Sequence, residues 1–223
     1  MLHLGGHYLE VRMIRESGPW KDALLADAAV MERWASKPNA TSRRSLLIER
    51  EVFLAAYTIR KLWEAQKLST SFRDRSLRCI TYPAISDRIT HLNNHELDKL
   101  YDFECPEEKT IVVRDLLDLI IHSFAFCECL RDDMTTEGFL VSSDRKRYDR
   151  VWFVEMDAFI SLMRQVGTDY PSSMTGAFNR DKNHWELWQG HGDPPAEFGR
   201  HNEEIFRDHL IACAPSNKRG KGR

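Results

Sequence analysis

With 223 residues, 42% of them hydrophobic and 30% charged, the chain can bury a substantial core and lies far from the sparse, highly charged composition of disordered segments. Its 32 Lys and Arg against 34 Asp and Glu leave a net charge of -2, which excludes a global field toward nucleic acid or an acidic membrane and leaves only local patches for such contacts. The five cysteines are odd in number and lack a CxxC pair, which argues against a disulfide framework or a zinc ribbon and fits a reducing cytoplasm.

The opening segment MLHLGGHYLEVRMIRE has no uninterrupted apolar core, so a secretory leader is not expected. Ser17-Gly18-Pro19 starts a first helix, because serine can cap and proline is tolerated in a first turn; apolar residues follow to Trp34 before Pro38. Residues 43–67 contain neither Gly nor Pro and place Ile48, Val52, Ala55, Ile59, Leu62 and Trp63 at helical spacing. This predicts the longest helix, whose apolar stripe needs a partner. Leu77 to Tyr82 reads as a short strand closed by Pro83, and Asn94 as the cap of a brief helix ending near Tyr101.

The segment TIVVRDLLDLIIHSFAF, residues 110–126, is predicted as a buried helix that encloses His122, although Ile111-Val112-Val113 has β propensity. Its apolar run is too short and too interrupted, by Asp118 and His122, to cross a bilayer, so no membrane contact is expected. Gly138-Phe139-Leu140-Val141 and residues 148–154 flank the polar turn Ser143-Asp144-Arg145-Lys146-Arg147 and predict a hairpin. Phe124 to Cys129 can add a third strand, with Cys127 and Cys129 on one face. Asp157 caps a further helix, and Gly167 is placed as its left-handed terminator. Beyond Pro171 the pattern loses its period, which predicts an irregular extension with a short helix over residues 203–211 and a basic tail.

The fold expected is therefore α+β: a helical bundle led by one long helix and packed with a small antiparallel sheet. Residues 1–170 are expected to form one domain, and residues 171–223 an irregular extension rich in histidine and aromatic side chains.

Four features can carry function. His122 in LLDLIIHSF is either a core or boundary histidine bonded to a carbonyl, or a base. Arg145, Lys146, Arg147 and Arg150, beside Tyr148 and Trp152, form a local cationic group that can hold phosphate or can simply solvate a hairpin tip. Trp185 and Trp188, with Phe198 and Phe206, either fold back onto the domain or anchor a partner. His184, His191, Asp193, His201 and His209 are metal-capable, but their spacings fit neither HExxH nor a zinc finger, so no metal or cofactor is assigned.

The LLDLIIHSF segment resembles the motif helix of HEPN domains, in which an Arg, a polar residue and a short apolar spacer precede a His. Asp118 matches the polar position, whereas Leu117 stands where the Arg belongs; the nearest upstream candidate, Arg114, is separated from His122 by seven residues. Eight helical steps of about 100° leave those two side chains roughly 80° apart. The resemblance implies a homodimer and metal-independent RNA cleavage in stress or defence, with His122 as base and Arg114 stabilising charge.

The sequence as a whole favours a cytoplasmic, non-enzymatic interaction module that self-associates, with a protein partner or RNA as possible ligands. The HEPN-like ribonuclease is the alternative, and a metal-dependent nuclease built on residues 184–209 comes third.

Overall fold

Short apolar runs in the middle of the chain build a five-stranded antiparallel sheet buried on both faces, and the helices before and after it cover one of them. The computed structural model describes residues 2–4, 7–9, 14–179, 184–195 and 198. In order these are β1 (Leu2–Leu4), β2 (His7–Leu9), α1 (Gly18–Ala35), α2 (Ser42–Glu64), α3 (Thr70–Arg73), β3 (Ser76–Pro83), α4 (Leu97–Leu100) and β4 (Glu107–Val112). Then come α5 (Val113–Ile121), β5 (Ser123–Leu130), β6 (Thr136–Ser143), β7 (Arg150–Glu155), α6 (Met156–Thr168), β8 (Ser173–Asn179) and β9 (His184–Gly190). The chain divides into two compact units, residues 1–169 and 170–223.

In the first unit the strand order is β4-β3-β7-β6-β5, with every neighbouring pair antiparallel. The α+β class expected from the sequence is therefore present, with the predicted hairpin at its centre as β6 and β7 and the predicted third strand at its edge as β5. The helical layer rests on three helices, since 23-residue α2 shares it with 18-residue α1 and 13-residue α6. Thr41 starts α2 by accepting a hydrogen bond from the Arg44 amide.

The helical face of the sheet meets one apolar core. Phe53 of α2, Phe126 of β5, Phe139 of β6 and Phe159 of α6 form a row of rings with successive centroids 5.4, 5.2 and 5.5 Å apart. That row ties both layers together through edge and offset ring contacts. On the opposite face Leu140, Val151 and Phe153 pack against Ile89, Leu97, Leu100 and Tyr101, so residues 84–104 form a second cover.

Two glycines of the first unit mark close approaches. At Gly138, facing β7, a Cβ would overlap the Val154 carbonyl oxygen and lie 2.9 Å from the Phe153 ring. Gly138→Ala is expected to cost about 2–3 kcal/mol, because backbone cannot move aside as a side chain can. A chemical-denaturation midpoint unchanged from wild type would contradict this. Gly167 is not the left-handed terminator expected from the sequence: it lies inside α6, and Gly192 is the one described glycine with positive φ. Its role is contact, since a Cβ there would sit 2.5 Å from Leu25 Cγ of α1.

The single helix expected over residues 110–126 is corrected to strand, helix and strand. The β propensity of Ile111 and Val112 prevails on the β4 side, and the half-buried Phe124 and Phe126 pair into β5. In the second unit, β8 and β9 pair antiparallel from Ser173↔Gly190 to Asn179↔His184, replacing the irregular chain expected there. The expected helix over residues 203–211 and the basic tail lie outside the described residues.

Candidate functional site

The placement of α5 creates the site. The chain of neighbouring antiparallel pairs leaves β4 and β5, the two outer strands, parallel to each other. The link between them must therefore return from the Val112 end, paired with Ser76, to the opposite end, where Ser123 pairs with Ser143. Nine helical residues extend about 13.5 Å, less than the roughly 19 Å width of a flat five-stranded sheet. The register of β5 shifts between Ser123 and Ala125 and between Cys129 and Leu130, irregularities of the kind that bend an edge strand.

Beside α5 lies an open cleft of about 820 Å³. Half-buried Trp152 of β7 lines it together with Thr110, Ile111 and Val112 of β4. One wall is a single stripe of α5 and its cap, Asp115, Asp118, Leu119 and His122, which recur at the i, i+3, i+4 and i+7 spacing of one helical face. The β6–β7 turn contributes Ser143, Asp144, Arg145 and Lys146. Arg60 of α2 completes it.

The burial expected for His122 is overturned. It is the one residue between α5 and β5, it caps the helix through its amide on the Asp118 carbonyl at 3.0 Å, and its imidazole is exposed to the cleft. Its own carbonyl accepts from the Asp144 amide at 3.4 Å, which joins the helix end to the cationic turn.

Arg60 is the cleft residue that sequence reasoning missed. Its Nε donates to Glu64 at 2.7 Å, and its Nη1 donates to Asp118. The bond to Glu64, with the charge of Asp118 adding to it, raises the Arg60 pKa above the ordinary arginine value, so the guanidinium is a permanent cation. Only the i,i+4 relation of Arg60 to Glu64 was visible in the sequence; its partner on α5 is 58 positions away.

The four cations of the turn separate into two pairs. Arg145 and Lys146 are exposed in the cleft; the Arg145 side chain has no hydrogen-bonding or ionic partner among the described residues, whereas the charge of Lys146 acts on Asp149. Arg147 instead lies over Phe124 at 4.2 Å and over Tyr148 at 4.8 Å, and it donates to Asp144. Arg150 is held by Asp149 at 3.0 Å, Glu107 at 2.9 Å and Thr81 at 3.3 Å. Arg147 and Arg150 thus fix the turn, and Arg145 and Lys146 face the cavity. With Asp118 balanced by Arg60, Asp144 by Arg147 and Lys146 shared with Asp149, the cation of the lining without a partner among the described residues is Arg145.

Arg114 lies off the cleft stripe. It is exposed in a neighbouring cavity of about 290 Å³ lined also by Arg60, Trp63, Glu64 and Gln66. The late aromatic pair falls in the second unit. Trp188 is half-buried, and its ring covers Gly190, where a Cβ would lie 2.8 Å away. Trp185 is paired in register with Phe178, and its side chain is outside the described residues. Of the late metal-capable residues, His191 and Asp193 are exposed, while His201 and His209 lie outside the described residues. Among the described residues no three His, Cys, Asp or Glu converge on a metal-sized site.

The cysteines among the described residues offer no activated thiol. Burial pushes Cys79 and Cys129 up to about 12, far from the range of a nucleophilic thiolate. No helix among the described residues is long and apolar enough to cross a membrane.

Fold and site together define an α+β protein whose helix-crossed antiparallel sheet borders an open cleft bearing one histidine and three cations, Arg60, Arg145 and Lys146. A scan against protein-family models and searches of curated proteins and solved structures find no match to this chain.

Proposed function

We propose that the Trp152 cleft binds single-stranded RNA and that His122 cleaves its phosphodiester. The observation that carries this reading is the convergence of the exposed His122 imidazole with Arg60, Arg145 and Lys146 in one open cavity of about 820 Å³. The guanidinium groups suit phosphate oxygens, which they can hold through paired hydrogen bonds. Among phosphate-bearing ligands, RNA is the one on which a lone imidazole has direct work, because its 2′-hydroxyl is a built-in nucleophile.

In this scheme neutral His122 takes the 2′-hydroxyl proton as that oxygen attacks the adjacent phosphorus. The bond from phosphorus to the 5′-oxygen breaks, leaving a 2′,3′-cyclic phosphate. The departing oxygen takes a proton from water, and His122 returns its own to solvent. Arg60 and Arg145 stabilise charge on the phosphoryl oxygens in the transition state. The role that the HEPN resemblance gives to Arg114 passes to Arg60, which shares the cavity with His122.

Purified protein incubated with RNA in EDTA is expected to yield 2′,3′-cyclic phosphate ends. RNA that stays intact, or a product set unchanged when 2′-deoxy substrate is supplied, rejects the scheme.

A second reading, self-association as a non-enzymatic interaction module, draws support from the outer face of α2. Leu46, Leu54 and Tyr57 are 63%, 44% and 49% exposed. Their spacing places them within an arc of about 80°, a narrow apolar stripe on a helix already packed on its other side. Sedimentation of wild type is expected to show a dimer that Leu54→Arg dissociates. A monomer at every attainable concentration would remove this reading.

A further inference from the structure

We infer that the RNA chain runs out of the Trp152 cleft across Arg60 into the neighbouring cavity, so that the substrate is an oligonucleotide and Arg114 is a second phosphate contact. This rests on the RNA reading of the cleft. Arg60 lines both cavities, which makes them adjacent. Each cavity combines a half-buried tryptophan with a cation that is free among the described residues: Trp152 with Arg145 in the first, Trp63 with Arg114 in the second.

Trp63 sits one turn after Arg60 on α2 and makes an edge contact with Phe72, ring centroids 6.4 Å apart, on its protein side. Glu64, the anion of this cavity, is occupied by Arg60 and Lys61 at 2.7 Å each, and those bonds hold its carboxyl below the usual range. It therefore repels phosphate less than a bare carboxylate would.

The spacing sets the ligand class. Arg114 and His122 stand eight residues apart on α5 and its cap, about 12 Å along the axis, so one phosphate cannot serve both. A backbone with several phosphates can, and two tryptophans separated by a cation match the stacking and charge pattern by which proteins hold single strands with little sequence preference. Double-stranded nucleic acid offers no unstacked bases to such surfaces.

The test is fluorescence polarisation with labelled 2′-deoxy oligonucleotides, which bind without being cut, from dinucleotide to octanucleotide, each across a salt series. Wild type is expected to bind the octamer at least tenfold more tightly than the dinucleotide. Arg114→Ala is expected to remove most of that gain and to lower the slope of log affinity against log salt by about 0.7, the loss of one phosphate contact on a single strand. Binding of the dinucleotide should be unchanged in Arg114→Ala and weakened in Arg145→Ala. An octamer affinity and slope unaltered by Arg114→Ala, or a dinucleotide bound as tightly as the octamer, would overturn the two-cavity path and leave the cleft reading standing. Wild type that binds no length at all overturns both.

Discussion

RNA cleavage is expected to fall between about 10²-fold and 10⁴-fold in His122→Ala, the range typical of losing a positioned general base. The substitution is clean for a structural reason. His122 is exposed, its imidazole has no partner among the described residues, and its helix-capping role belongs to its amide and carbonyl. Stability should therefore change by no more than about 0.5 kcal/mol, as for other surface replacements. Lost cleavage at an unchanged denaturation midpoint would then report chemistry. Arg145→Ala provides the contrast, because a cation that holds phosphate in the ground state as well as the transition state should raise KM more than it lowers kcat. Cleavage by His122→Ala at the wild-type rate would assign the reaction to another group or to a contaminant.

The largest loss of stability is expected at Lys21. This side chain is fully buried in the first turns of α1, and its Nζ donates to the Lys67 carbonyl at 2.9 Å and to the Asp169 carbonyl. Asp169 in turn accepts from the Ser69 amide at 2.7 Å and from the Ser69 hydroxyl. One ammonium group thereby joins the start of α1, the end of α2 and the end of α6. Lys21→Ala removes its bonds to both carbonyls and opens a cavity, at an expected cost of about 3–5 kcal/mol. Lys21→Met, which refills most of the volume but makes no hydrogen bond, should lose less. A urea midpoint shift equivalent to under about 1 kcal/mol for the alanine variant would show that the buried bonds carry little net weight.

The same site gives a pH signature. Burial lowers the Lys21 pKa below the ordinary lysine value, opposed by the charge of Asp169. A depressed folded-state pKa means that the native protein releases this proton before the unfolded chain does. The desolvation penalty is therefore complete at pH below the folded value, and stability from this group rises as pH climbs from there toward the unfolded value. The alanine variant should lack that alkaline increment.

Local pattern made the sheet's centre legible. The β-branched and aromatic residues of Gly138 to Val141 and again of residues 150–154, around a run of polar turn residues, specify a hairpin without outside help. The long helix ending near Trp63 was equally readable, because no Gly or Pro interrupts its period. The 110–126 segment was not, since a continuous apolar run serves a buried strand and a buried helix alike, and tertiary pairing with Ser76 and Ser143 decides where each begins. Strands β8 and β9 mix polar and aromatic residues on both faces, so their period-2 signal was too weak to separate from loop.

At the site, His122 and the Arg145-Lys146 pair stood out by composition, yet their meeting depends on α5 bringing a helix end to a hairpin turn. Arg60 carries no local mark beyond an i,i+4 pair with Glu64. Gly167 was misread for a similar reason, because a glycine near a helix end terminates the helix in many proteins and only the Leu25 side chain on α1 shows that here it makes room.

The joints of α5 leave no slack. Strand β4 ends at Val112 and the helix begins at Val113; it ends at Ile121, and a single residue precedes β5. The helix is thus strung directly between the two outermost strands, like a bar fixed at both ends. Removing one residue from it would shorten it by about 1.5 Å and rotate everything beyond the cut by about 100°. The imidazole would leave the hollow while the outer strands were drawn together, so natural variation in this bar should appear as exchange of side chains and almost never as change of length.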